Sequence, residues 1–395
     1  MATVKKTRLT NILIKEQTGD IYEAPASTDI VSRLASGAAI QATPELIARD
    51  NLKNSYTPDA DLVGVLTGNF TGESEMYGAD YSDGLTKPWF NSIFRAGQLI
   101  ETGLYEIPVS SVDVAFVHNE VVTGGTGIGR VVVPAIAADD SAIPAIIGDD
   151  VIIIAVTTAG FTAETITGSI AGSAVATGAE VERGWSYKFD STANFRLSVR
   201  GEEDGQFSQI YNAVPVFSIT ADVNGLPKLN YNLLGAINVV ADVPQWLRDG
   251  ANTSVVRDTK VPPVFNCGRF KHNDFSPIVD GTFTIDPAIV ANMDVNANSC
   301  TGIDGYSVDG RVPVSSYRIG RPSNAESDVM LDWFDATDIA TELRIGQDKF
   351  NTFWFFTDTA KLESVAGADE NGKAKLDLGL KLTGQDDQEL EIVCI

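Results

Sequence analysis

Cysteine and histidine are nearly absent from this 395-residue sequence: three cysteines, at 267, 300 and 394, and two histidines, His118 and His272. Metal and redox motifs need such residues in close pairs, and no such pairing occurs here. A Cys267–Cys300 disulfide stays open beside the plainer reading, reduced thiols in a cytoplasm. Cations are also scarce: Lys and Arg total 29 against 53 Asp and Glu, for a net charge of -24. Adhesion to nucleic acid needs clustered cations that displace counterions from phosphates, and no basic stripe is present. Long apolar runs are missing too. The longest, around Val151 to Val156, is far short of a bilayer span, and Met-Ala-Thr-Val-Lys-Lys at the start has no apolar core behind it. These absences predict a soluble protein made in a cytoplasm, with no membrane segment.

Catalytic and ligand motifs are equally sparse. The stretch Gly124 to Gly129 resembles a nucleotide loop until the spacing is checked, since G-x-G-x-x-G would need glycine at Arg130. Asp294-Val295-Asn296-Ala297-Asn298 opens like a calcium loop, but the sixth position is Ser299 and the twelfth is Gly305, so the bidentate glutamate is missing. It reads as a turn. The carboxylate pairs Glu202-Glu203-Asp204 and Asp386-Asp387 sit beside expected hairpins and read as solvated acidic faces. No catalytic, cofactor or metal residue is expected.

Strand patterns are abundant. Phe195 to Arg200, Lys228 to Leu233 and Lys375 to Leu382 alternate apolar and polar residues, the mark of half-buried antiparallel strands. The last two follow Asn224-Gly225 and Asn371-Gly372, the dipeptide that best suits a tight primed hairpin turn. Two short helices are expected. One starts near Pro88 and carries Trp89, Phe90, Ile93 and Phe94 up to Gly97; the other spans Ser327 to Asp335, capped by Ser327 or Asp328, with Met330, Trp333 and Phe334 on one face. Both aromatic stripes read as core anchors.

The halves share an order of elements. Asn224-Gly225-x-x-Lys228-Leu229 returns as Asn371-Gly372-x-x-Lys375-Leu376, 371 − 224 = 147 positions on, and Trp89-Phe90 returns as Trp333-Phe334, 333 − 89 = 244 positions on. The spacing predicts a tandem duplication whose first copy holds extra chain. Residues 1–111 with 184–240 form the first domain, 241–395 the second. Residues 112–183, rich in Gly, Ala, Thr, Val and Ile, form an inserted small β-barrel.

This layout resembles the tail tube proteins of long-tailed phages. The likeness rests on the opening Lys6-Thr7-Arg8-Leu9-Thr10-Asn11-Ile12-Leu13-Ile14, with Tyr22-Glu23-Ala24-Pro25 behind it. It continues through the strand–loop–strand from Ala39 to Met76, the helix around Trp89, Tyr187 to Val199, and the closing segments Leu343 to Phe356 and Leu376 to Leu382. What the resemblance implies is a mainly β fold, related to the type VI secretion tube subunit. Each tail-tube domain would be two packed antiparallel sheets forming part of a barrel, plus one short α-helix.

The implied function is structural: a non-enzymatic major tail tube subunit of the virion tail, assembled in the host cytoplasm, whose rings stack into the hollow conduit for DNA. Its partners would be other copies of itself, the tape measure protein, the tail terminator and the baseplate or tail tip proteins. The usual ring has six single-domain subunits, so two domains per chain imply a homotrimeric pseudo-hexameric ring, with a homohexamer as the alternative. The ring-stacking loop would be the hairpin with Asp50, Asn51, Lys53, Tyr56, Asp59 and Asp61, aided by residues 1 to about 30. Glu73 and Glu75 are the candidates for an acidic wall that DNA slides past without binding. Two other classes compete: a β-rich phage surface protein binding a host glycan, and an acidic β glycosidase.

Overall fold

A computed structural model describes residues 10–18, 25, 39–47, 62–78, 86–133, 151–170, 172–203, 206–242, 262–265, 269–273, 275–277, 279, 281–296, 302–323, 328–346, 350–370, 372–385 and 387–395. The chain begins with β1 (Thr10–Glu16), β2 (Ala39–Ile47), β3 (Leu62–Glu75), α1 (Asn91–Ala96) and β4 (Leu99–Val114). Five short strands follow: β5 (Val121–Gly124), β6 (Gly127–Val133), β7 (Val151–Thr158), β8 (Thr165–Gly168) and β9 (Ser173–Ala176). Next come β10 (Val181–Phe189), β11 (Leu197–Glu203), β12 (Gln206–Asp222) and β13 (Lys228–Asp242). The rest is β14 (Arg269–His272), β15 (Thr282–Asp286), β16 (Ile289–Val295), β17 (Ile303–Arg311), β18 (Val314–Gly320), α2 (Val329–Phe334), β19 (Ile339–Ile345), β20 (Phe353–Glu370), β21 (Lys373–Leu382) and β22 (Glu391–Cys394). The fold is mainly β, and its described strands pair antiparallel. The three sequence runs read as strands lie in β11, β13 and β21.

One layer is a long sheet in the order β2-β3-β13-β12-β15-β18-β21-β20. Alternate residues such as Phe70, Leu229, Tyr231, Ile219, Phe283, Tyr317, Leu376 and Leu378 point inward, where one contiguous apolar core forms. The opposite face is polar, as expected of an antiparallel sheet with one wet side. The second layer is β4-β10-β22-β20-β19-β14, which uses the first part of β20. Its central strands are buried on both faces. Phe353, Phe355 and Ile392 enter the main core, while Trp354, Phe356 and Val393 face the other way. That explains the unbroken apolar runs at 353–356 and 392–395.

Strand register repeats along the chain. Ala39 lies opposite Thr71 and Thr284 opposite Ser316; 284 − 39 and 316 − 71 are both 245. Ile47 with Leu62 matches Asn292 with Ser307 at the same offset, 292 − 47 = 307 − 62 = 245. Both hairpins slip by one residue at the corresponding place, between Pro44 and Leu46 and between Val290 and Ala291. Glu75 opposite Lys228 matches Gly320 opposite Lys375, with 320 − 75 = 245 and 375 − 228 = 147. A one-residue slip would turn a whole strand's apolar set to water, so matched registers are a stringent likeness.

The segment 112–183 holds β5 to β9, and these do not close on themselves. The pairings run β4-β7-β6-β5-β8-β9 and back to β4, so the ring takes a sixth strand that starts well before residue 112. Its interior is filled by Ile107, Val109, Phe116, Val122, Val131, Ile152, Ile154, Phe161 and Ile166. The first part of β4 pairs with β10 in the second layer, so one strand belongs to both bodies. Gly124 to Gly129, the apparent nucleotide loop, is the β5–β6 hairpin, with Gly125 at φ 52 in its turn.

The two helices differ from expectation and from each other. α1 starts at Asn91, two residues after Trp89, and buries Ile93 and Phe94 behind a buried Phe90. Phe94 stacks on Phe217 at 5.2 Å and meets Tyr187 edge-on at 5.1 Å. In α2 Asp328 is the cap, accepting from the Leu331 backbone N–H at 3.1 Å. The stripe of Met330, Trp333 and Phe334 is not a core anchor, however. Val329 is the buried residue, Trp333 is only partly covered, and Phe334 is 73% exposed. Met330 and Trp333 lie half-buried, Trp333 at the margin of the main core, and the turn that carries Phe334 faces water.

The hairpins also diverge. β20 and β21 join through the two residues Asn371-Gly372, with Glu370 opposite Lys373 and Gly372 at φ 77. The β12–β13 connection is longer: Asn224 is left-handed at φ 62, and Thr220 is the last residue opposite Lys228. The connection is held by the Gly225 N–H donating to the Asp222 carbonyl and the Asn224 N–H to the Phe265 carbonyl, in place of the tight turn expected there. Asp294 lies in the β16–β17 hairpin, accepting from Ser307 Oγ at 2.8 Å. Cys394 is a buried thiol, and Cys267 and Cys300 lie outside the described residues.

Candidate functional site

The polar face of the long sheet is built by strand alternation. One row of opposed residues crosses seven strands: Glu75, Lys228, Thr220, Thr284, Ser316, Gly379 and Ser364. Two shallow depressions open on this face, one lined by Thr71, Glu73, Ser218, Asn230, Asn232 and Asp286, the other by Thr282, Ser316, Arg318 and Asp377. Charges on it are paired locally. Lys228 Nζ is 2.8 Å from Glu73 Oε1, and Arg318 Nε donates to Asp377 Oδ1 at 2.6 Å. Glu73 and Glu75 both reach this face from β3; Lys228 stands opposite Glu75 and its Nζ reaches across to Glu73, so a cation accompanies the two carboxylates expected as an acidic wall. The loop residues Asp50, Asn51, Lys53, Tyr56, Asp59 and Asp61 lie outside the described residues.

A second cluster gathers ionisable groups that no local motif announces. It sits where the six-stranded ring meets the second layer. His118 and Asn119 precede β5, Arg130 lies on β6, Ser186 and Lys188 on β10, Asp358 on β20 and Glu391 on β22. Glu391 is 2% exposed and takes a forked contact from Arg130, at 2.7 and 2.8 Å. Ser186 Oγ also donates to it, and Lys188 Nζ lies 3.5 Å away. His118 bridges the carboxylates: Nδ1 is 2.7 Å from Asp358 Oδ1 and Nε2 is 3.0 Å from Glu391 Oε2, with the ring stacked on Phe356 at 4.3 Å. Asn119 donates to Asp358 as well. Beside these charges, Val132, Val133, Ile153 and Ala155 pack against Trp354, Phe356, Val393 and Ile395.

The electrostatics follow from the contacts. Burial pulls the His118 pKa down, but the bonds to Asp358 and Glu391 outweigh it and leave it raised. Burial pushes Glu391 up, and the bonds and charges of His118 and Arg130 hold it well below the carboxylate range. Asp358 is lowered for the same reason, its bond to His118 overriding desolvation. Both His118 nitrogens face carboxylate oxygens, which favours the doubly protonated ring. Such a ring has no lone pair to accept a proton, and Ser186 donates to Glu391 rather than to His118. This arrangement fastens the ring of strands to the second layer. The signal for it was only the rarity of histidine, because His118 meets partners 240 and 273 positions away.

A pH dependence follows. His118, with its folded pKa raised, contributes stability that is complete below its unfolded value near 6.5 and is lost as pH rises through the folded value. Glu391 and Asp358, with lowered values, contribute above the unfolded carboxylate range and lose it only in strong acid. Thermal unfolding between pH 6 and 9 is expected to show falling stability in the wild type and a flatter profile in His118→Gln; parallel profiles would contradict the assignment.

His272 is a core residue, its Nδ1 2.8 Å from the Tyr317 hydroxyl and its pKa lowered by burial. Among the described residues, no group of three or more His, Cys, Asp and Glu is placed to hold a metal ion, and no helix is long and apolar enough to cross a membrane. No protein-family model and no curated protein matches the chain.

Proposed function

We propose that this chain is the major subunit of a phage tail tube, a structural protein whose copies form stacked rings around a DNA conduit. The observation that carries the reading is the repeated register: two four-stranded antiparallel units, β2-β3-β13-β12 and β15-β18-β21-β20, joined edge to edge through β12 and β15 in one sheet. We read them as two tandem tube domains, each with a short helix, so that three chains supply the six units of a ring. The polar face of that sheet is the lumen wall, and the six-stranded ring of β4 to β9, on the far side of the second layer, is an exterior decoration.

The wall differs from the acidic one expected from a net charge of -24. Among the described residues it carries Glu73, Glu75, Asp222, Asp286 and Asp377 against Lys228, Arg318, Lys361, Lys373, Lys375 and Lys381, nearly in balance. Hydroxyls, amides and paired charges give phosphates neither a cation cluster to grip nor a strong repulsion. DNA passes over it without specific binding. Tape measure, terminator and tail tip proteins are the partners of this reading, and the virion tail is its location. Electron microscopy of the purified chain at high concentration tests it. Hollow tubes or stacked rings are expected; compact particles that never polymerise, even beside a tail initiator complex, would overturn it and favour glycan adhesion.

A further inference from the structure

The joint between the two sheet units shows how one unit receives the next. β12 carries β15 along its outer edge, with Ile219 opposite Ile285 and Thr220 opposite Thr284. The same joint can be transposed by the repeat. Thr284 and Ile285 correspond to Ala39 and Ile40, since 284 − 245 = 39 and 285 − 245 = 40. Ile219 is opposite Leu229 and Gly367 opposite Leu376, and 376 − 229 = 147, so Gly367 and Ala368 stand in β20 where Ile219 and Thr220 stand in β12. Two edges are therefore candidates to meet: the side of β2 away from β3, and the side of β20 away from β21 after Lys361. Neither carries a strand among the described residues.

The β20 edge has the chemistry of a surface meant to be covered. Ser364, Ala366 and Gly367 are exposed, and an added Cβ at Gly367 would meet nothing within 4 Å. Exposed edge strands are ordinarily guarded by charge, proline or a bulge. Here a bulge between Leu362 and Ser364 and the charges of Glu363 and Asp369 mark the ends of the open stretch, and Ser364-Val365-Ala366-Gly367-Ala368 between them has neither charge nor proline. The β12 edge, at the equivalent place, is covered by β15 of the same chain.

We propose that β2 of one copy pairs antiparallel with β20 of a second copy, Ala39 opposite Ala368 and Ile40 opposite Gly367, repeating between chains the joint that β12 and β15 make within one. This rests on the tube reading and fixes which residues close the ring. Each copy has one edge of each kind, so the contact is head-to-tail and three copies close it. The occupant of the β20 edge is a second copy of this chain.

Cysteine cross-linking tests the register. Directly opposed residues of an antiparallel pair have Cα atoms about 4.5–5.5 Å apart, within disulfide range. The variant Ala39→Cys with Ala368→Cys, in a background with Cys267→Ser and Cys300→Ser, is oxidised mildly and run without reductant. A ladder of cross-linked dimer and trimer that ends at the trimer is expected, and the control pair Ala39→Cys with Ser364→Cys is expected to give at least tenfold less. Circular dichroism matching the wild type certifies folding. Rings or tubes in micrographs without the Ala39–Ala368 cross-link, or equal cross-linking in the control, would overturn the register and leave the tube reading standing. No cross-link and no polymer in either variant or wild type would overturn both.

Discussion

Glu391→Ala is expected to destabilise the chain by about 3–5 kcal/mol, the range for stripping one partner from a buried ion pair. The carboxylate is 2% exposed and holds Arg130, His118 and Ser186 directly, with Lys188 near by. Removing it leaves three cations in a desolvated joint with Asp358 as their remaining carboxylate. The loss is local before it is global. β22 sits between β10 and β20, and Gly184 passes so close to it that an added Cβ would stand 2.1 Å from the Cys394 carbonyl oxygen. Hydrogen exchange should therefore rise first in β22 and in β5 to β9. A loss under about 1 kcal/mol with unchanged protection would show that the cluster is a solvated surface network instead.

Phe90→Ala and Phe334→Ala form the second contrast, since these phenylalanines occupy the same place in the repeat, 334 − 90 = 244. Phe90 is fully buried, 4.7 Å from Phe94, 6.0 Å from Tyr187 and 6.1 Å from Phe353 between ring centroids. Its truncation is expected to cost about 3–5 kcal/mol, transfer and cavity together. Phe334, 73% exposed and stacked on Trp333, should change stability by no more than about 0.5 kcal/mol. Chemical denaturation of the dilute chain measures both. Equal losses would mean that α2 is buried as α1 is.

The contrast shows where sequence reasoning stops. Alternation in β13 and β21 was legible because a half-buried strand writes its environment into every second residue, whereas in β11 Ser198 is as buried as Leu197 and Val199, so that strand is covered on both faces. The turn at Gly372 was legible because its left-handed backbone, φ 77, favours glycine. The offset of 244 between the two Trp-Phe pairs lies within one residue of the 245 that separates the strand registers, so the order of elements was legible through two motifs. What stayed hidden depends on distant partners. Trp333-Phe334 has the same letters as Trp89-Phe90, and both tryptophans pack partly against the main core, yet only Phe90 is enclosed by it while Phe334 is exposed. β4 serves both the second layer and the six-stranded ring, which no composition shift at residue 112 reveals. The fastening of His118 to Asp358 and Glu391 joins residues 240 and 273 positions apart, and a sequence scan for ligand spacing passes over it.

The ring itself is the most direct test of the account. End-on averages of negatively stained polymer should show a hollow ring with six lobes modulated threefold, alternate lobes bearing the extra density of the β4 to β9 body. Six equivalent lobes, each of one whole chain, would contradict the two-unit reading, and solid particles without a lumen would contradict the tube.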